Sequence, residues 1–472
     1  MKKTAPFGLA LAALVLIPFQ LWLRPGLALS ESRAALAAQP VTSIVGKIYL
    51  PLAMSLSNSA DTHPFGITMY DGIDTGSGTN QMRAAGATRV LTDLKWSVIE
   101  PTQGGGYHWS TYDTRLKNAV AAGMSIHVVF SENPAWASSH PNGPVTPTFS
   151  LNLQNVISAT AQRYNGANGL PRIDSWTLYG EPDNLASWGN SGAAYADMLA
   201  TMAPIIHKAN PMARVMLGGL AYDCFVDDPQ EQCATKHWKR SFLPDTLNQL
   251  NTHPGGAAAY VDAVAFNFYP ISLWRWPMIT DKAQAIRGVM NTYGVGQLPL
   301  VVPEMSMWSM WPNNVETQSQ QAAWLVQFYT RGLSVGIQQM YWFEVFDTQP
   351  VGPGSALGLF RGSSLADPKQ SYTAYQVLTH QLAGRSFSRS LSVSNAEGYV
   401  FGAGALQKTV VWGMQPSFAT PVAFALSCAR RVDMLGATTQ ILDGGLGDTD
   451  GAFNGAVRLN VEVEKPIYVG PC

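Results

Sequence analysis

Between residues 65 and 346, short runs rich in β-branched and aromatic residues alternate with longer stretches whose apolar positions recur every three or four residues. Eight runs read as strands: Phe65 to Tyr70, Thr88 to Leu94, Ser125 to Ser131, Ile173 to Tyr179, Arg214 to Gly218, Val261 to Tyr269, Leu298 to Pro303 and Ile337 to Phe343. Between them, Tyr112 to Ala122, Gln154 to Tyr164, Ala193 to Ala209, Lys282 to Tyr293 and Thr317 to Gly332 carry the spacing of helices with one buried face. Gly86, Gly123 and Asn210 followed by Pro211 supply the stops that end a helix before the next strand. Eight β–α units in succession predict an α/β fold, a closed (β/α)8 TIM barrel rather than an open sheet.

The pattern changes after Ser371 to Leu382, which reads as the last outer helix. Gly398 to Phe401, Thr409 to Trp412, Val422 to Ser427 and Val457 to Val463 are short, separated by Gly-rich turns, and predict a small antiparallel β-domain. The expected division is a barrel over 64–384 and a β-sandwich-like domain over 385–472, with 38–63 as a linker. Residues 1–37 open with Lys2 and Lys3 and continue in the apolar run Ala5 to Leu23, the make-up of a signal peptide, with an uncleaved membrane anchor as the alternative. The expectation is an exported, secreted or cell-surface protein with no membrane contact beyond that segment.

Composition narrows the partners. Thirty basic residues against thirty-one acidic ones leave a net charge of −1, which argues against nucleic acid and other polyanions. Fourteen Trp, several in predicted loops, provide flat apolar faces suited to sugar rings. In an exported chain the four cysteines are expected to pair locally, Cys224 with Cys233 and Cys428 with Cys472, the alternative being four free thiols. No Cys-x-x-Cys and no His cluster at ligand spacing is present, so no metal site is expected.

In a (β/α)8 barrel the side chains that do chemistry lie at the C-terminal ends of the strands. That rule selects Glu181, in Trp176–Thr–Leu–Tyr–Gly–Glu–Pro–Asp183 after the fourth strand, and Glu304, in Leu300–Val–Val–Pro–Glu–Met–Ser–Met–Trp308 after the seventh. A carboxylate at the end of a buried strand is costly unless it has partners or work. Two of them suit glycoside hydrolysis, in which one carboxyl protonates the leaving oxygen and the other attacks the anomeric carbon.

Acids after strands four and seven resemble the pattern of the clan A glycoside hydrolases, retaining barrel enzymes. Trp96–Ser–Val–Ile–Glu–Pro101, Gly106 to Asp113 and Asn133–Pro–Ala–Trp–Ala137 are similar to segments of the family 39-type and family 5-type members. Val261 to Pro270 resembles their sixth strand, Tyr341–Trp–Phe343 their eighth, and Asp367 to Tyr375 the entry to their last helix. The resemblance implies Glu181 as general acid/base, Glu304 as nucleophile, Tyr269 as the tyrosine bonded to the nucleophile and Trp342 as a sugar platform. It implies a neutral oligo- or polysaccharide as substrate and no cofactor. Trp136 and Trp308, in loops after strands, are further candidates for sugar stacking. The chain departs from the pattern at three places: Gly180 replaces the Asn that precedes the acid/base, Leu91 occupies the place of an Arg on the second strand, and Asn267 stands where many relatives have His. Arg89, on the same strand face as Leu91, is the candidate substitute for that Arg. Gly180 motivates the alternative of a carbohydrate-binding barrel with weak or no catalysis.

Overall fold

The computed structural model describes residues 63–70, 72–167, 169–222, 237–269, 279–310, 317–347, 356–416 and 418–472. Cys224, Cys233 and the N-terminal segment expected to direct export lie outside the described residues. Eight parallel strands close into a barrel in sequence order: β1 (Phe65–Thr68), β2 (Arg89–Lys95), β3 (Ser125–Ser131), β4 (Ser175–Leu178), β5 (Arg214–Leu220), β6 (Ala263–Phe266), β7 (Leu300–Met305) and β8 (Ile337–Trp342), with β8 returning to β1. The outer layer comprises α1 (Ser77–Ala84), the single turn α2 (Trp96–Ile99), α3 (Ser110–Ala121), α4 (Ser150–Arg163), α5 (Gly192–Ala209), α6 (Phe242–Leu250), α7 (Ile279–Thr292), α8 (Gln318–Ser334) and α9 (Gln370–Leu382).

Strand alternation sorts the core into two layers. Side chains such as Val90, Leu94, Val128, Phe130, Trp176, Leu178, Leu300 and Val302 point outward and pack under the helices. Leu91, Val129, Met216, Ala263, Ala265, Val301 and Tyr341 point inward and fill the lumen. Gly66 on β1 is required there, because a Cβ would lie 2.4 Å from the Tyr341 ring. The barrel interior is therefore plugged by side chains, and a ligand can be received only at the strand ends.

Beyond α9, a six-stranded antiparallel sheet runs in the order β14 (Thr438–Leu442), β13 (Cys428–Asp433), β16 (Ile467–Pro471), β11 (Lys408–Gly413), β10 (Ala396–Phe401) and β9 (Phe387–Ser390), faced by the pair β12 (Thr420–Phe424) and β15 (Val457–Val461). Cys428 and Cys472 form a disulfide with Cα atoms 5.6 Å apart. Barrel and β-domain belong to one compact unit. Arg331 of α8 forms an ion pair with Glu397 of β10, its Nε donating to Oε1 at 2.6 Å, and its guanidinium stacks on Trp412 of β11 at 5.1 Å. Every residue of α8 from Gln321 to Gly332 is buried, because the helix has the barrel on one side and is covered by α9 and the β-domain elsewhere. No helix among the described residues is long and apolar enough to cross a membrane.

Candidate active site

Backbone parity places the polar groups at the C-terminal mouth. On β6 and its continuation, Ala263 and Ala265 face the lumen, so Asn267 and Tyr269 follow on the same side. Gly219 on β5 leaves room for the Asn267 amide: a Cβ there would lie 3.1 Å from Asn267 Oδ1. On β7 strict alternation would turn Glu304 outward with Val302. The register with β8 shifts between Val302 and Met305, and this bulge turns Glu304 toward the mouth. At the end of β4, Tyr179 and Glu181 adopt left-handed conformations, with φ of 61° and 45°, a strain of the kind concentrated at functional sites.

These four devices converge on one hydrogen-bonded group. Asn267 Nδ2 donates to Glu181 Oε1 at 3.2 Å and to Glu304 Oε2 at 3.3 Å. Two bonds from one nitrogen hold those oxygens within the sum of their lengths, about 6.5 Å, of each other. That bound accommodates the roughly 5–5.5 Å of a retaining pair. Glu304 also accepts from the Tyr269 hydroxyl at 3.0 Å and from the Tyr70 hydroxyl at 3.2 Å.

The two acids are electrostatically unequal. Burial pushes Glu181 up to about 8, with the charges of Glu304 and Asp183 adding to the effect and the Asn267 bond and the Lys282 ammonium opposing it. Burial raises Glu304 as well, but two phenolic donors pull it back. Since a carboxylate gains most from donors aimed at it, the single negative charge of the pair belongs on Glu304 and the proton on Glu181. Asp183, two residues after Glu181, is raised to about 6 by burial, against the backbone N–H groups of Ala221 and Tyr222, which donate to it at 3.1 and 2.9 Å. It ties the loop after β4 to the end of β5. Among the described residues no cluster of three or more His, Cys, Asp or Glu is arranged to hold a metal ion.

The structure brings Glu181, Glu304, Asn267 and Tyr269 together and sends other expected residues elsewhere. Arg89 is a correction: it is the first residue of β2, paired with Gly66 and Ser125 at the N-terminal end of the barrel, and its Nε donates to the carbonyl of His63. It cannot replace the missing Arg at the mouth, and Leu91 fills the lumen beneath. Trp342 is a second correction. It is fully buried in the outward core and its Nε1 donates to Leu357 O at 3.1 Å, so it offers no open face. Phe343, the next residue and of lumen parity, lies at the mouth instead, with its ring 6.1 Å from Tyr70 and 6.0 Å from Tyr269. Trp136 is a packed loop anchor, donating to Glu100 O and set edge-on against Trp96 and Phe149. Trp308 is half-buried against the outer core beyond β7. Tyr70 and Phe343 were missed by sequence reasoning; counting alternate positions from Gly66 and from Tyr341 would have found both. Gly180 is partly exposed, and a Cβ there would meet only Val129 Cγ1, at 3.6 Å.

The fold of this chain, a closed parallel barrel with a C-terminal β-domain, is similar to that of solved glycoside hydrolases. A family 39 glycoside hydrolase from the gut symbiont Bacteroides cellulosilyticus WH2 superposes with a TM-score of 0.64 at 17% identity, over 87% of this chain and 81% of that one. A family 39 β-xylosidase from Caulobacter crescentus gives 0.57 at 16% identity, over 86% and 95%. A family 30 endoxylanase from Clostridium papyrosolvens C71 gives 0.58 at 12% identity, over 87% and 97%. No family model matches the sequence, and no curated protein matches it.

Proposed function

We propose that this chain is an exported retaining glycoside hydrolase acting on a neutral oligo- or polysaccharide. The observation that carries the reading is the shared amide of Asn267, which bonds both carboxyl groups while two tyrosines bond Glu304 alone. Ionised Glu304 attacks the anomeric carbon as Glu181 gives its proton to the departing oxygen. Glu181, now a carboxylate, takes a proton from the water that cleaves the glycosyl–enzyme ester and is protonated again at the end of the cycle. The raised Glu181 carboxyl suits a proton donor near neutral pH. Phe343 supplies a ring beside the nucleophile against which a sugar can pack. Xylose-based glycans head the substrates to try, because two of the similar structures are a β-xylosidase and an endoxylanase. Export is supported by the charged start and apolar run of the N-terminal segment and by the Cys428–Cys472 disulfide.

A panel of aryl glycosides and polysaccharides, with the first-formed anomer followed by proton NMR, tests the proposal. Retention of configuration is expected, and inversion would overturn the mechanism. Gly180 favours a second reading, a carbohydrate-binding barrel, since it offers no side chain to a sugar hydroxyl. Oligosaccharide affinity in calorimetry with no turnover on any substrate would establish that reading.

A further inference from the structure

Lys282 is buried, with 1% of its surface exposed, in the first turn of α7. A cation there opposes the positive end of the helix dipole, and its burial costs solvation, so helix formation does not account for it. Its ammonium Nζ donates to the backbone carbonyls of Asn267 at 2.7 Å, Leu220 at 3.2 Å and Ala221 at 3.4 Å, and lies 5.6 Å from the Phe266 ring. It thus clasps the ends of β5 and β6. Ala221 is held from both sides, its carbonyl by Lys282 and its N–H by the Asp183 carboxylate. Asn267 is held by its carbonyl while its side-chain amide reaches the two acids.

We propose that Lys282 is a positioning residue for the acid pair: it fixes Asn267, and through that amide Glu181 and Glu304, and supplies a positive charge beneath the carboxyl groups of Glu181, Glu304 and Asp183. The inference deepens the glycosidase reading, on which its catalytic meaning rests. Among the described residues, the titratable groups facing Glu181 are Glu304 from β7, Asp183 from its own loop, Tyr269 from the continuation of β6 and Lys282 from α7, with the neutral Asn267 amide between the acids. Tyr269 and Tyr70 face Glu304. Lys282 opposes the upward push on both Glu181 and Asp183.

The test measures the Glu181 carboxyl titration by carbon-13 NMR of glutamate-labelled full-length protein, with its resonance assigned by loss in Glu181→Gln. In Lys282→Met the midpoint is expected to rise by about one pH unit, the effect of a unit charge roughly 10 Å away at an effective dielectric near 20. In Lys282→Arg, which keeps the charge, it is expected to stay within about half a unit of the wild type. A folded Lys282→Met with an unmoved midpoint overturns the proposal, as does a Lys282→Arg midpoint displaced as far as that of the Met variant. A purely structural lysine would lower the melting temperature in both variants and leave the midpoint alone. Should Lys282→Met not fold, the wild-type protein still decides: the Lys282 Nζ resonance, assigned by its loss in Lys282→Arg, should inflect at the Glu181 midpoint, and a flat response refutes the coupling. Neither readout uses turnover, so a protein that hydrolyses no glycoside yet shows these shifts fails the glycosidase reading and keeps this one.

Discussion

Replacing Glu181 by Gln should make the protein more stable, by an amount that grows as pH rises from about 5 to about 8. The unfolded chain ionises Glu181 near 4.5, whereas the folded protein holds its proton to about 8. Below 4.5 both states are protonated and the carboxyl contributes no pH dependence. As pH rises between the two values, the unfolded state gives up its proton while the folded state keeps it, so stability falls, and above about 8 the loss is complete. At ~1.4 kcal/mol per pH unit the interval sets a ceiling near ~5 kcal/mol. The carboxyl keeps some contact with solvent at the barrel mouth, which brings the expected loss to ~3 kcal/mol. Glu181→Gln removes the ionisation and keeps the shape, and it relieves Glu304 of a like charge. Urea unfolding of both proteins from pH 4 to pH 9, followed by tryptophan fluorescence and circular dichroism, gives the difference curve. It should be flat below about pH 5 and climb by ~3 kcal/mol in favour of the variant by pH 9. A difference that does not change across this range, or that grows in favour of the wild type, would falsify the assignment of the proton to Glu181.

Other expectations are more local. Glu304→Gln should lower kcat at least about a thousandfold while leaving oligosaccharide affinity within a few-fold, measured by steady-state kinetics and calorimetry. Gly180→Asn should fold with stability changed by less than about 0.5 kcal/mol, because its Cβ meets only one methyl group, and should raise kcat about tenfold through a new bond to a sugar hydroxyl; an unchanged kcat would show that Gly180 does not limit turnover. Glu397→Ala strands the buried Arg331 guanidinium and should cost ~3 kcal/mol in urea unfolding, whereas joint replacement of both residues by Leu and Met should cost much less. The double change Cys428→Ser, Cys472→Ser opens a crosslink spanning 44 positions and should cost about 4 kcal/mol by the loop-entropy relation, read as a lower denaturation midpoint.

The barrel was legible because each strand carries its own signal. Ser125–Ser131 matches the predicted run residue for residue, and the other strands differ by a few residues at their ends. Helices α2 and α6 escaped, α2 being a single turn, and of α1 only the stop at Gly86 was read, because it is a short polar segment with little apolar face. In the β-domain, β9, β13, β14 and β16 escaped because Phe387–Ser390 and Thr438–Leu442 are largely exposed edge strands, and Cys428–Asp433 carries two arginines. At the mouth, Glu181 and Glu304 were found through position at the ends of strands, and Asn267 and Tyr269 through the family resemblance. Arg89 was misplaced because strand face was weighed above height along the barrel, since it shares a face with Leu91 but stands two positions too early along β2, and Trp342 because residue type was weighed above parity, since it faces away from Tyr341. The β7 bulge that aims Glu304, and the fold that brings Lys282 under Asn267, depend on pairing with other strands and leave no mark in local sequence.

The ion pair between Arg331 and Glu397 bears on modularity. The change of pattern near residue 384 suggests a cassette boundary, yet α8, the helix that follows the strand bearing Glu304, is covered by α9 and, at Arg331, by residues contributed after that point. Inheritance and engineering then act on a larger block than the sequence pattern suggests. A recombined protein that takes its barrel from this chain and its tail from another must also bring partners for Arg331 and its bed on Trp412, and a barrel cut free after residue 384 would expose a helix evolved for an interior. The portable unit is the barrel with its sheet attached.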